Sequence, residues 1–391
     1  MTGRDLVGDE PGPLLSPMTT DEFLNEHYGR SFVHIPGPAD RFASLMTWPA
    51  LNRLLREQRF VHPRLRLTKD NQPVPEQHYW RTVRTPRGGF QQLDVAQLLR
   101  HLRDGSTLVV DSIDMAHAPV LRVKQTLQRW LGAYVSTNLY ASWGATHGFD
   151  VHWDDHDVFV LQVAGTKRWR IYPPTRPWPL LDDVQRGPKP DQPPTADLML
   201  NAGEMLYLPR GWWHDVTADN RASLHLTFAV LRPTNVDFLA WIVQRLKAHD
   251  VARRDAPHAP GSQETHDVLR QLRYLLAQEL TPTALSEYHA GQREEYALDP
   301  LPTLQAVEQP DPRRWDQDAA VVLLSTNAKL ERTDTHAVLH IADRTCAAPH
   351  TQINVLERLL QGRPVPLAEL IEACSAPAVG DLVTAGLLAV V

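Results

Sequence analysis

The chain has 391 residues, 42% hydrophobic and 22% charged, with 40 Lys and Arg against 46 Asp and Glu. That length allows two or three domains and at least one sizeable core, and a formal net charge of -6 supplies no overall basic footprint for nucleic acid, so no direct nucleic-acid binding is expected. Cys346 and Cys374 are too few for a disulfide framework and lack zinc-site spacing, and they read as two buried small hydrophobes.

In chain order, "MTGRDLVGDEPGPLLSPMTT" carries acidic residues and prolines but no hydrophobic signal core, and no apolar run is long enough for a membrane span. A cytoplasmic protein is expected. "TDEFLNEHYG" predicts a helix capped by Thr20, followed by a short strand in "SFVHIPG". "VAQLLRHLRDG" predicts a helix closed by Gly105, "STLVVDSID" a strand, and "VLRVKQTLQRWLG" another helix. From about 134 to 233 the pattern changes to short runs rich in Val, Leu, Tyr and Phe, split by Gly, Pro, Asn and Asp. No helix of normal length fits there, and an antiparallel sandwich or small barrel is the simplest solution. Helices return at "NVDFLAWIVQRLKAH", whose Phe238, Leu239, Ile242, Val243 and Leu246 repeat at the spacing of one helical face. After Leu301 come strand-like "AVVLLS" and "HAVLHI", two helical runs and a short terminal strand, a winged-helix-like order. Seven Arg and Lys against eleven Asp and Glu in this last part argue for a structural or interaction module rather than a phosphate binder.

The stretch "GFDVHWDDHDVFVLQVAGTKRWRIY" carries the chemistry. Residues i and i+2 of a strand face the same side, so His152 and Asp154 present an imidazole and a carboxylate to one point. His214, 62 residues downstream in "YLPRGWWHDV", follows a tight "PRG" turn and supplies a third ligand from a facing strand. Two histidines and one carboxylate form the face that leaves positions open on Fe(II), although zinc fits the same groups. Lys167, just past the Gly165 turn, alternates with Trp169 and Ile171 on the more apolar face; Arg168 and Arg170 are its alternatives. A lysine in a dry barrel is costly unless it meets an anion, which a dicarboxylate cosubstrate on the iron would provide. Asn138 and Tyr140 on "TNLYAS", and His225 and Thr227 on "SLHLTFAV", are further candidates to line the cavity. His147, Asp155, His156 and Asp157 crowd the metal pair and read as supporting or loop residues. The loop "TRPWPLLDDVQRGPKPDQPPT" lies between the two halves of the metal set and is expected to shape the cleft.

Together, "NLY", this stretch, "LNAGEMLYLPRGWWHDV" and "SLHLTF" resemble the JmjC-type ribosomal oxygenases, protein hydroxylases of the cupin superfamily that depend on Fe(II) and 2-oxoglutarate. The motif similarity is concentrated between about 134 and 230. The resemblance implies a mainly β double-stranded β-helix catalytic core with helical and strand elaboration over 1–233, a helical dimerisation region over 234–300 and a winged-helix-like domain over 301–391. It implies His152, Asp154 and His214 as iron ligands, Lys167 as the partner of the distal carboxylate of 2-oxoglutarate, and Asn138 and Tyr140 on the cosubstrate side, where the alternation of its own strand also puts Thr227. It further implies a homodimer whose substrate is an arginine or histidine side chain of a ribosomal protein. No catalytic side chain is required beyond the metal centre, because the oxidative chemistry belongs to metal and cosubstrate. Three alternatives stay open: a hydroxylase of a small molecule or peptide natural product, a lysyl demethylase, and a non-catalytic cupin-like scaffold.

Overall fold

The structure, a computed structural model, describes all residues except 1–10, 59, 145–148, 181–182, 184–189, 219–220, 296–300 and 326. The chain divides into two compact units, residues 1–231 without 132–134, and residues 232–391 with them.

The first unit contains β1 (Val33–Ile35), β2 (Leu65–Lys69), β3 (Gln72–Pro73), β4 (Trp80–Thr85), β5 (Gly88–Leu93), β6 (Thr107–Asp111), β7 (Tyr134–Ser142), β8 (Asp157–Ala164), β9 (Thr166–Tyr172), β10 (Ala196–Asn201), β11 (Met205–Leu208), β12 (Trp213–Ala218) and β13 (Ser223–Leu231). Eight strands form one sheet in the order β1-β11-β8-β13-β7-β6-β2-β3, and three form a second in the order β10-β9-β12. Strands β8 and β11, β8 and β13, β9 and β10, and β9 and β12 pair antiparallel. This is the double-stranded β-helix, with no helix between β7 and β13 among the described residues.

Strand β8 is buried at every position but its last because both of its faces are covered. Val158 and Val160 meet Trp169, Ile171 and Leu200 of the smaller sheet. Phe159 points the other way, where Phe23 packs against it, Trp130 and Tyr207 at ring distances of 5.5, 5.6 and 4.8 Å. Trp130 comes from the expected helix, observed as Ala118–Leu131. At the N-terminal helical segment the sequence reading is off by one residue. Thr19, not Thr20, is the cap, its hydroxyl accepting from the Glu22 amide at 3.1 Å, and the helix continues as a π turn over Phe23–His27. Gly165 joins β8 to β9 at φ +67°, and a Cβ there would lie 1.9 Å from the Ala222 carbonyl oxygen, so only glycine fits.

The second unit opens with helices Asn235–Leu246, Gln263–Glu279 and Pro282–Glu295. Of the apolar face expected on the first, Ile242 and Leu246 are buried, whereas Leu239 and Val243 are about half exposed. Beyond them, β14 (Ala320–Leu323), β15 (Ala328–Arg332), β16 (His336–Ile341), β17 (Arg344–Pro349), β18 (Val365–Pro366) and β19 (Leu388–Val390) surround helices Ile353–Leu360, Leu367–Cys374 and Ala376–Thr384 on one apolar core. The third helix was not expected; Ser375, at φ +82°, separates it from the second. Cys346 and Cys374 are buried as expected but are not two separate hydrophobes. They form a disulfide that links β17 to the end of the second helix, with a Cα–Cα distance of 5.7 Å. A single cross-link of this kind needs no framework spacing and is invisible to a count of cysteines.

Candidate metal centre

His152 and His214 face each other across an isolated antiparallel bridge. The His214 amide donates to the His152 carbonyl at 2.7 Å, and the His152 amide returns the bond at 3.1 Å. The chain thus brings two residues 62 positions apart into direct register, and their rings lie 4.3 Å apart between centroids. Each Nδ1–H donates to a backbone carbonyl two residues upstream, that of Asp150 at 2.6 Å and that of Trp212 at 3.1 Å. This fixes the tautomer and leaves both Nε2 lone pairs facing Asp154, at 3.9 Å from Oδ1 for His152 and 3.7 Å from Oδ2 for His214. One ligand atom from each of the three residues lies within 4.8 Å of the others. Atoms bound about 2.1 Å from one ion lie up to roughly 4 Å apart, so small side-chain adjustments close the set on a metal. Burial, reinforced by the neighbouring His152, pushes the His214 imidazole down to about 4, which keeps it in the neutral, ligating form at neutral pH.

The "PRG" turn that delivers His214 is held by two acidic residues. The Gly211 amide donates to the Asp154 carbonyl at 2.8 Å. The Asp157 carboxylate, buried, accepts from the Arg210 amide and the Tyr207 hydroxyl, both at 2.9 Å. Asp157 therefore braces the turn, the supporting one of the two roles its position suggested. Asp155 pairs with His156 at 2.9 Å, which lowers its carboxyl. Burial works against the charged form of His156, but that bond and the surrounding aspartates outweigh it and raise the imidazole. His147 lies outside the described residues, as does part of the proline-rich loop between β9 and β10.

A cavity of about 360 Å³ opens over the three ligands, and Asn138, Tyr140, Lys167, His225 and Thr227 all line it. Strand β9 alternates as its residues suggest, with Lys167, Trp169 and Ile171 buried and Arg168 exposed. Arg168 pairs outside with Asp197, and Arg170 with Asp215. Lys167 has no acidic partner among the described residues, and burial pushes its amine down to about 8. An uncompensated buried cation over a metal-ligating face fits an anionic ligand. His225 stacks on Tyr140 at 4.8 Å, nearly parallel, and burial, with the Lys167 charge second, holds its imidazole well below its ordinary value. Burial likewise raises the Tyr140 phenol. The Asn138 amide lies 3.3 Å from Asp111.

Sequence reasoning missed Arg66, Asn71, Thr107 and Phe149, which also line the cavity. Arg66 forms an ion pair with Asp111 from the adjacent strand β6. The available signal was the alternation in "RLRLTK", where Arg66 stands between buried Leu65 and Leu67.

Comparison with known proteins finds likenesses over the part of the chain that holds the centre. The model of the JmjC domain matches residues 113–238, which contain the three ligands and Lys167. That stretch is similar to a JmjC domain. The chain is 28% identical over 218 residues to the Drosophila pseudoobscura pseudoobscura protein named bifunctional lysine-specific demethylase and histidyl-hydroxylase NO66, a match covering 55% of this chain and 22% of that protein. It is 32% identical over 140 residues to Rattus norvegicus ribosomal oxygenase 2, covering 34% of this chain and 30% of that protein. The matches span less than half the length of these curated relatives. Among solved structures, Escherichia coli ribosomal oxygenase YcfD superposes with a TM-score of 0.59 at 18% identity, covering 96% of this chain and 98% of that one. A YcfD structure in complex with cobalt and 2-oxoglutarate superposes at 0.56 and 16% identity, covering 95% and 98%. At that identity the likeness establishes the fold.

Proposed function

We propose that the chain is an Fe(II)- and 2-oxoglutarate-dependent oxygenase that hydroxylates an amino-acid side chain of a protein. The observation that carries this reading is the conjunction of the His152–Asp154–His214 face with the unpaired, buried Lys167 in one cavity. A zinc site would make use of the same three ligands but leave the lysine without a purpose. An arginine or histidine of a ribosomal protein is the first substrate to try, given the names of the relatives and of the superposed structures.

Each group has a defined task. His152 and His214 offer Nε2, held in aim by the Asp150 and Trp212 carbonyls, and Asp154 offers its carboxylate. Lys167 would hold the far carboxylate of 2-oxoglutarate, with Asn138, Tyr140 and Thr227 around it. Val158, Val160, Trp169, Val216 and Ala229 make the cavity wall apolar, which excludes water and strengthens the charge contact. When bound, iron and 2-oxoglutarate supply the oxidising chemistry, in which oxygen is consumed, succinate and carbon dioxide leave, and a substrate C–H becomes C–OH.

We further read residues 234–300 as a dimerisation region, because Leu239 and Val243 leave part of an apolar helix face uncovered, and 301–391 as a winged-helix-like module. No helix among the described residues is long and apolar enough to cross a membrane. A cytoplasmic location is our expectation. The direct test of function is succinate formation from 2-oxoglutarate with Fe(II) and oxygen, with ribosomal-protein fragments added or withheld. Stimulation by a fragment, lost in Asp154→Ala and Lys167→Ala and matched by one added oxygen atom in that fragment, is expected. Bound Fe(II) and 2-oxoglutarate without any stimulated turnover would redirect the search to small molecules and peptides.

A further inference from the structure

A second concavity, a groove of about 820 Å³, lies in the first unit. Helix Trp48–Glu57, the β4–β5 hairpin and helix Val95–Arg103 form its sides, and Leu65 and Leu108 lie at its floor. The floor strands are shared with the metal cavity. Leu65 and Leu108 line the groove while their neighbours Arg66 and Thr107 line the cavity, so β2 and β6 present one face to each.

The groove is lined by five aromatic residues, Trp48, Phe60, Trp80, Phe90 and Trp143. Trp48 and Trp143 pair at 5.1 Å, and Phe90 is 43% exposed. The surrounding sequence is basic. Residues 51–103 contain eleven Arg and Lys against four Asp and Glu, in a chain that holds 40 against 46. The two helices each carry a pair of exposed arginines three residues apart, Arg53 with Arg56 and Arg100 with Arg103. The hairpin adds exposed Arg81, Arg84 and Arg87. Of these seven, Arg56 lines the groove and has an acidic partner, Glu57; the other six stand on the same elements outside its lining and form no ion pair among the described residues. The acidic average of the whole chain conceals this local excess, and distribution rather than net charge decides whether a polyanion binds.

An apolar ligand has no use for the arginines, and a simple anion has no use for the aromatic walls. A polymer with a flat ring and a phosphate in every unit uses both, and stacking platforms flanked by cations are how single strands are held. We propose that this groove docks single-stranded RNA. The choice of RNA over DNA rests on the reading of the protein as a hydroxylase of ribosomal-protein substrates, since such a substrate is met in the company of RNA.

The test is fluorescence anisotropy of the full chain with a labelled, unstructured RNA of about 12 nucleotides, at low and at raised salt. Single-stranded DNA, duplex RNA and an acidic amphipathic peptide serve as comparators. Wild type is expected to prefer the single-stranded RNA. Phe90→Ala should weaken it roughly tenfold with the salt slope unchanged. The double variant Arg100→Gln, Arg103→Gln should make the slope of log affinity against log salt shallower by about 1.4. Unaltered melting temperature and 2-oxoglutarate binding in these variants will separate lost contacts from lost folding. Absence of RNA binding, binding insensitive to both variants, or tighter binding of the peptide at the same groove would each overturn the proposal, and equal affinity for DNA would overturn the choice of RNA. Failure of the hydroxylase reading would show separately, in succinate turnover at the metal cavity, to which none of these variants belongs.

Discussion

Replacing Lys167 with methionine is expected to make the ligand-free protein more stable while disabling it. The amine is 6% exposed and lacks an acidic partner among the described residues, and burial lowers it from 10.5 to about 8. A shift of that size corresponds to at most about 3.5 kcal/mol held against the folded state, because each pKa unit is about 1.4 kcal/mol. The sign follows from proton counting. Below pH 8 the lysine is charged in both states and the folded state bears the whole penalty. Between pH 8 and 10.5 the folded state sheds its proton first and the penalty fades, so wild-type stability rises with pH through that window. Lys167→Met keeps the stem and removes the charge. Its melting temperature at pH 7 should exceed that of wild type by roughly 3–9 °C, taking about 3 °C per kcal/mol for a unit of this size, and the advantage should shrink toward pH 10. Affinity for 2-oxoglutarate should fall roughly 10²- to 10³-fold, since its far carboxylate would be buried without a counter-charge. In wild type that affinity should weaken by about tenfold per pH unit above pH 8, as the lysine loses its proton. Scanning fluorimetry of the metal-free protein and anaerobic titration with Mn(II) in place of iron measure both quantities. A variant less stable than wild type at pH 7, or one that binds 2-oxoglutarate undiminished, would refute the assignment of this lysine.

Asp154→Ala should abolish Co(II) binding, followed by visible absorption, and leave the melting temperature of the metal-free protein within about 1 °C, because its carboxylate is partly exposed and works on the ion. Asp157→Asn should do the reverse in part: the amide oxygen can still accept from the Arg210 N–H, but its NH₂ cannot accept from the Tyr207 hydroxyl, which costs about 1–2 kcal/mol, seen as a lower denaturation midpoint, and the loosened turn weakens Co(II) binding as well. Leu239→Glu with Val243→Glu should convert the expected dimer to a monomer in sedimentation without lowering 2-oxoglutarate affinity; a wild-type monomer at high concentration would remove the dimer.

The centre was legible in the sequence because each of its parts is written in short range. The spacing of two places His152 beside Asp154, although the segment makes only an isolated bridge ahead of β8, and strand alternation places Lys167 on the apolar side of β9; the "PRG" turn announces the third ligand. Arg66 and Thr107 were not legible as cavity residues for the opposite reason. They reach the cavity because β2 and β6 extend the main sheet beyond β7, a pairing between segments that no local pattern ranks. Which groups Asp157 supports was not legible, because its partners, Tyr207 and Arg210, lie some 50 residues away. The Cys346–Cys374 link is likewise a fact of tertiary proximity.

The paired backbone bonds between His152 and His214 also bear on how this architecture changes over time. They pin the two ends of a 62-residue excursion, so ligand spacing does not depend on what the chain does between β9 and β10. Lengthening that connection costs only about 0.6 kcal/mol of closure entropy for each doubling. Insertions there can remodel what enters the cavity while the ion's coordination stays untouched, and a lineage can thus exchange one target for another without rebuilding its chemistry.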